Sequence, residues 1–191
     1  MIIYFASNNE YKSKELLDII NPELPEAMEI RPLKMKIEEI QSSDSEKIVR
    51  DKVVKAFSKV RRPLFVGHTG LYIEHFGDLP GGLTQIVWES LQADKFCEFF
   101  GRTENTAAVA RTMLGYCDGR NVITFEGEIK GSIASEPRGD RSFQWDCVFI
   151  PDGYDKTFAE MGDLKYEMSS RRLALQALVK YLKENRYEGF N

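Results

Sequence analysis

Two long runs of β-forming residues, AAVARTMLGYC (107–117) and NVITFEGEIKGSIA (121–134), meet at Asp118-Gly119. This junction constrains the fold more than any other part of the chain. An Asp-Gly pair between alternating or apolar runs is a strong hairpin signal, because glycine accepts the positive φ that a tight turn demands. Two antiparallel strands of this length need further strands or helices to cover them.

Upstream of the hairpin, strands and helices alternate. Residues 2–6 (IIYFA) predict a short strand ended by Ser7, Asn8 and Asn9, after which Tyr11, Leu16, Leu17, Ile19 and Ile20 recur at helical spacing. A second helix is predicted over EKIVRDKVVKAFSKV, with Ser43, Asp44 and Ser45 ahead of it and Glu46 placed three residues after Ser43 as in a capping box. Its apolar face is Ile48, Val53, Ala56, Phe57 and Val60. LFVG (64–67) and LYIEHF (71–76) predict two strands flanking His68, Thr69 and Gly70, followed by a turn-rich GDLPGG loop and a helix from about residue 91 to 100. Beyond the hairpin, CVFI predicts a short strand, and SSRRLALQALVKYLKENRY a closing helix capped by Ser169. Alternation first and serial strands later predict an α/β fold on a mixed sheet.

A chain of 191 residues, 42% hydrophobic, can bury one substantial core, so a single unit spanning 1–191 is expected. The net charge of −4 lacks the basic excess that would neutralise a polyphosphate backbone, which excludes duplex DNA or RNA as the main partner. A free nucleotide needs only a few local cations. Cys97, Cys117 and Cys147 are far apart without a CxxC spacing and read as reduced core thiols, against both a zinc site and a disulfide framework. With neither a leader pattern nor an apolar stretch of about 18 residues, a soluble cytoplasmic protein with no membrane partner is expected.

Chemistry concentrates at the first strand-to-helix turn. A helix start presents unpaired backbone N–H groups and the positive end of the helix dipole, which together attract phosphate. In SNNEYK, Ser7 and Asn9 can donate hydrogen bonds, and Lys12 can reach back toward the same anion. An ordinary helix cap with solvated Lys12 and Lys14 is the competing reading. The second helix carries Lys52 and Lys55 in a mixed-charge face that solvation alone would explain. Glu38 and Glu39 precede that helix, where a carboxylate can bind a hard divalent cation.

The order of SNNEYKSKEL, EIQSSDSEKIVRDK, VGHTGLYIEHFGDLPG, FEGEIKGSI with PRGDRSFQWDCVFIPDGYDKTFAEM, and KYEMSSRRLAL resembles the inosine triphosphate pyrophosphatase family over essentially the whole chain. PRG followed by F-x-W-D, F-I-P-D-G-Y and T-F-A-E-M is the most specific part. The resemblance implies an elongated mixed β-sheet flanked by helices, two lobes with a central cleft, and a homodimer. It implies magnesium-dependent cleavage of deaminated purine triphosphates such as ITP, dITP and XTP to the monophosphate and pyrophosphate. By the same resemblance, Ser7, Asn9, Lys12 and Lys52 would hold the triphosphate and Glu39 the metal. Phe143, Trp145, Asp146, Lys165, Ser169 and Arg171 would form the base site, an aromatic ring there stacking on the purine.

Two places depart from the family pattern. Gly67 and His68 stand where the family carries acidic residues, one of them credited with holding metal or activating water. An imidazole there weakens magnesium binding and tilts preference toward manganese or another transition metal. An imidazole that titrates near about 6.5 is also a competent general base. His68 as base or metal ligand, as a non-catalytic binding group, or as a structural residue are the three readings. The second departure is Ser170, in place of a histidine that helps to recognise the purine 6-oxo group, which implies relaxed or altered base selection. A catalytically weak or inactive purine-nucleotide-binding protein is the alternative to the enzyme. His75, seven residues after His68, reads as a surface or core histidine.

Overall fold

The computed structural model describes residues 1–9, 13, 16, 17, 20, 23, 24 and 28–185. Its elements are β1 (Ile2–Ser7), β2 (Glu29–Lys34), α1 (Ser45–Val60), β3 (Leu64–Ile73), β4 (Leu79–Gly81), α2 (Thr84–Phe100), β5 (Ala107–Cys117), β6 (Val122–Ile133), β7 (Phe149–Pro151), α3 (Phe158–Met161), α4 (Leu164–Met168) and α5 (Ser170–Glu184). Ser13, Leu16, Leu17 and Ile20 are helical, in agreement with the spacing, while Tyr11 and Ile19 lie outside the described residues.

The hairpin at Asp118-Gly119 forms as its residues dictate. β5 and β6 pair in continuous antiparallel register from Cys117↔Val122 to Ala107↔Ser132. Asp118 Oδ1 accepts from the backbone N–H groups of Arg120 and Asn121 at 2.7 and 2.8 Å, which satisfies the turn's donors. Around this ribbon a seven-stranded mixed sheet runs in the order β2-β1-β3-β5-β6-β7, with β4 on β3. β1 is parallel to β2 and β3, and the other pairings are antiparallel. The α/β class with a mixed sheet is therefore as the sequence predicts.

Several local expectations are corrected. Instead of two strands separated at His68, β3 runs unbroken from Leu64 to Ile73, because β5 pairs with every residue of it. Small Gly67 and Gly70 are accommodated within the ladder and do not break it. Glu74–Phe76 is a 3-10 turn, and His75 within it is exposed. Asp44, not Ser43, caps α1, accepting from Glu46 N and Lys47 N; Ser43 O is taken by Gly82 N at 2.8 Å. α2 begins at Thr84, earlier than expected, and is bent at Gln92 (φ 56). Within GDLPGG, residues 79–81 pair with β3.

Hydrophobic burial divides the sheet along its length. Leu71, Ile73, Ala108 and Ala110, from one end of β3 and β5, pack with Trp88, Phe96, Phe149 and Phe158. At the other end, Phe65, Leu114 and Tyr116 pack under Leu175 and Leu178 of α5. On the opposite face Leu64 and Val66 pack under Val49, Val53 and Ala56 of α1. These are the two lobes. The polar stretch of β3 between them, with Thr112 beside it, marks the cleft. Cys97, Cys117 and Cys147 are buried and free. Among the described residues, no helix is long and apolar enough to cross a membrane.

Candidate active site

The sheet is interrupted where the two lobes meet. On the edge of β3 away from β5, β1 pairs only at Leu64 and Phe65 and β4 only from Leu71 to Ile73. Residues 66–70 of β3 thus have no paired strand on that side among the described residues. An unpaired strand edge leaves backbone polar groups to be satisfied in other ways, and here Lys52 Nζ donates to Gly67 O at 3.3 Å. A cavity of about 570 Å³ opens at this break.

Helical geometry brings Lys52 there. Val49, Val53 and Ala56 form the buried stripe of α1, and Lys52 stands at its flank, so its stem is covered and its ammonium reaches the break. Glu39 meets it from the segment between β2 and α1. One Glu39 oxygen accepts from Lys52 Nζ, and the other lies 3.2 Å from His68 Nδ1. Burial alone would raise the Glu39 carboxyl, but the hydrogen bond with His68 and the charge of Lys52 outweigh it, bringing the group from 4.5 down to about 2. The carboxylate is held ionised. Among the described residues, His68 Nε2 is buried without a hydrogen-bond partner. A carboxylate on Nδ1 favours the tautomer with the proton there, which leaves a lone pair on Nε2.

At the strand-to-helix turn, Ser7 Oγ accepts from Asn9 N at 3.1 Å, and Asn9 O accepts from Ser13 N at 3.1 Å. Ser7, Asn8 and Asn9 all line the cavity, as do Lys36 and Arg171. Its described lining therefore carries three cationic side chains, Lys36, Lys52 and Arg171, against one carboxylate, Glu39. In a chain of net charge −4 this is a local inversion that favours an anion.

Of the sequence-predicted residues, Ser7, Asn9, Glu39, Lys52, His68 and Arg171 come together around the cavity. Lys12 lies outside the described residues. Asp146 and Lys165 form a buried ion pair, and Lys165 Nζ sits 4.4 Å from the Phe143 ring centroid. Ser169 caps α5, accepting from Arg172 N at 3.2 Å. Ser170 Oγ is hydrogen-bonded to Thr112 Oγ1 at 2.9 Å, and Thr112 to Thr69 at 3.0 Å. Ser170 is thereby turned into a hydroxyl chain behind the wall. Trp145 is buried and packs with Phe149 and Phe158, their ring centroids 6.0 and 6.5 Å away, and it does not line the cavity. Phe143 is half-buried.

Lys36, Thr69, Thr112, Gln85 and Gln144 line the cavity without having been singled out in the sequence. Thr69 adjoins His68, and Gln144 is the unspecified residue of F-x-W-D, so adjacency to the motifs was the available signal. Lys36 and Gln85 carried none.

The sequence profile of the Ham1 family matches residues 3–181. A dITP/XTP pyrophosphatase of Methanopyrus kandleri is 32% identical over 187 residues, 97% of this chain and 98% of that one. A dITP/XTP pyrophosphatase of Ignicoccus hospitalis is 33% identical over 184 residues, 94% of this chain and 96% of its own. The fold is that of a solved Ham1 protein from Coxiella burnetii, with a TM-score of 0.81 at 21% identity over 96% of this chain and 99% of that one.

Proposed function

The chain belongs to the Ham1 family, and from that premise we propose that it is a nucleoside triphosphate pyrophosphatase acting on deaminated purine nucleotides such as ITP, dITP and XTP. The observation that carries the reading is the cation-rich cavity at the break in the sheet, with a carboxylate, a lysine and an imidazole joined at its wall. Relatives above 30% identity over nearly their whole length, each named a dITP/XTP pyrophosphatase, support the substrate class.

The triphosphate enters along Ser7 and Asn9, where the turn before the helix offers hydrogen-bond donors. Lys12 and Lys52 neutralise its charge, Lys36 and Arg171 adding to the field. Water attacks the α-phosphoryl group and pyrophosphate leaves. Lys52 is already ordered by Glu39 and Gly67, so its charge is in place before negative charge builds on the phosphoryl oxygens. Glu39 orients the imidazole through Nδ1, and His68 Nε2 takes the water proton.

Glu39 and His68 are also the residues that would hold a divalent cation. The buried Nε2 has a single lone pair, so His68 would either ligate the ion or take the water proton and not both, while a carboxylate oxygen of Glu39 retains lone pairs beyond those used by Lys52 and His68. One nitrogen beside one carboxylate suits Mn²⁺ better than Mg²⁺. Such an ion would polarise phosphoryl oxygen and screen phosphate charge. Phe143, Lys165, Asp146, Ser169 and Ser170, none of which lines the cavity, would meet the base beyond it together with Arg171, which does line it. The reading carries with it a single Ham1-type unit over 1–191, acting as a homodimer in the cytoplasm.

Product identity tests the proposal. Incubation with ITP and a divalent cation, followed by ³¹P NMR, should show IMP and pyrophosphate; IDP and orthophosphate would contradict it.

A further inference from the structure

Gln144 holds an unusual backbone conformation at the cavity. Its φ of 43 places it among four non-glycine residues with positive φ in the described chain. A residue with a Cβ is strained in such a conformation, which persists only where surrounding structure imposes it. Here the neighbours impose it: Trp145 is locked in the core, and Phe143 is covered by Lys165. Gln144 lines the cavity, as does its partner Gln85.

Its amide is tied into a chain of three side chains. Gln144 Nε2 donates to Gln85 Oε1 at 2.8 Å, and Gln85 Nε2 donates to Glu89 Oε1 at 2.6 Å, one turn further along α2. The polarity of this chain is fixed by chemistry. An ionised carboxylate only accepts, so Gln85 must turn its NH₂ to Glu89 and its carbonyl to Gln144. Gln144 must then turn its NH₂ to Gln85, and its carbonyl oxygen and second N–H are left for other partners. With its nitrogen held by Gln85 the amide cannot flip, so a base whose N1 is seated against Oε1 meets an acceptor and not a donor.

Hypoxanthine, xanthine and guanine carry an N1–H donor beside a 6-oxo group. Adenine presents an acceptor at N1. We propose that Gln144, oriented by Gln85 and Glu89, is a specificity-determining residue whose Oε1 accepts the N1–H of a 6-oxopurine and disfavours 6-aminopurines. The inference rests on the nucleotide reading of the cavity. It also supplies a polar base contact where Ser170, committed to Thr112, offers none to the cavity. Glu89 acts as a positioning residue, outside the cavity lining. Selection is between 6-oxo and 6-amino bases, so guanine nucleotides are not rejected by this residue.

The test compares wild type, Gln144→Gly and Glu89→Lys. Glycine adopts φ near 43 without strain, so Gln144→Gly should fold with an unchanged or raised Tm. The ratio of kcat/KM for ITP over ATP should fall about tenfold in Gln144→Gly, the worth of one hydrogen bond with its unpaired alternative. Glu89→Lys, which puts a donor where Gln85 now meets an acceptor, should lower the same ratio. Calorimetric binding of IMP and AMP gives a second readout. Preference for IMP that is lost in Gln144→Gly supports the inference even if wild type releases no pyrophosphate, a result that would sink the enzyme reading alone. Unchanged ITP/ATP and IMP/AMP ratios in both variants, or a wild type that binds IMP no better than AMP, would overturn it.

Discussion

Glu39 lies between Lys52 and His68, with one oxygen accepting from the Lys52 ammonium and the other 3.2 Å from the imidazole Nδ1. The carboxylate thereby sets the position of both groups assigned to phosphoryl transfer.

Lys52→Ala removes the cation nearest that carboxylate. Loss of a preorganised group that stabilises developing charge costs about 10²–10³-fold in kcat, so a fall of that size is expected with ITP. Glu39→Gln should lower kcat in the same direction, because it weakens the hold on both partners. Steady-state rates of pyrophosphate release check both, and a Lys52→Ala enzyme within threefold of wild type would contradict the assignment.

His68→Asp replaces nitrogen with a second carboxylate. Magnesium binding measured by calorimetry should tighten, and the ratio of magnesium-supported to manganese-supported turnover should rise. If neither quantity moves, position 68 handles neither cation nor water.

The Glu39 carboxyl titrates near 2 in the folded protein and near 4.5 when its partners are lost. A depressed folded value means that the folded state binds fewer protons than the unfolded state between those limits. The stabilisation is therefore complete above about pH 4.5 and is lost as pH falls toward 2. The unfolding free energies of wild type and Glu39→Gln should differ by a constant amount near neutrality and converge through that acid window. A difference that stays constant down to pH 2 would show that the carboxyl is not held by Lys52 and His68.

Gly127 lets α5 rest on β6, since a Cβ there would meet the Ser170 carbonyl oxygen at 2.1 Å. Both atoms belong to backbone or its first substituent, so neither can rotate away. Gly127→Ala should destabilise the fold by about 1–3 kcal/mol and displace Ser169–Arg171 from the cavity. Chemical denaturation and the KM for ITP measure the two effects; an alanine variant with wild-type stability would refute this packing account.

Much of this architecture was legible because periodicity reports which face of an element is buried. Ser169 as a cap, the Asp118-Gly119 hairpin and the first strand all follow from local residue chemistry. The continuity of β3 is not legible locally, because His68, Thr69 and Gly70 look like a turn to any local rule and only pairing with β5, more than forty residues away, keeps them extended. The packing of Trp145 against Phe149 and Phe158 is equally invisible locally, because an aromatic in a motif does not reveal which of its faces meets the core. Ser7, Asn9, Glu39, Lys52 and His68 were found as separate anion or cation groups. Their union through one carboxylate depends on a break in the sheet that no local pattern encodes.

Pyrophosphate release, measured across ITP, dITP, XTP and the standard triphosphates with Mg²⁺ and with Mn²⁺, tests the central claim most directly. Turnover of the deaminated purines well above that of ATP, with one pyrophosphate released per monophosphate formed, is the predicted result. No pyrophosphate from any of these nucleotides, while ITP still binds, would contradict it.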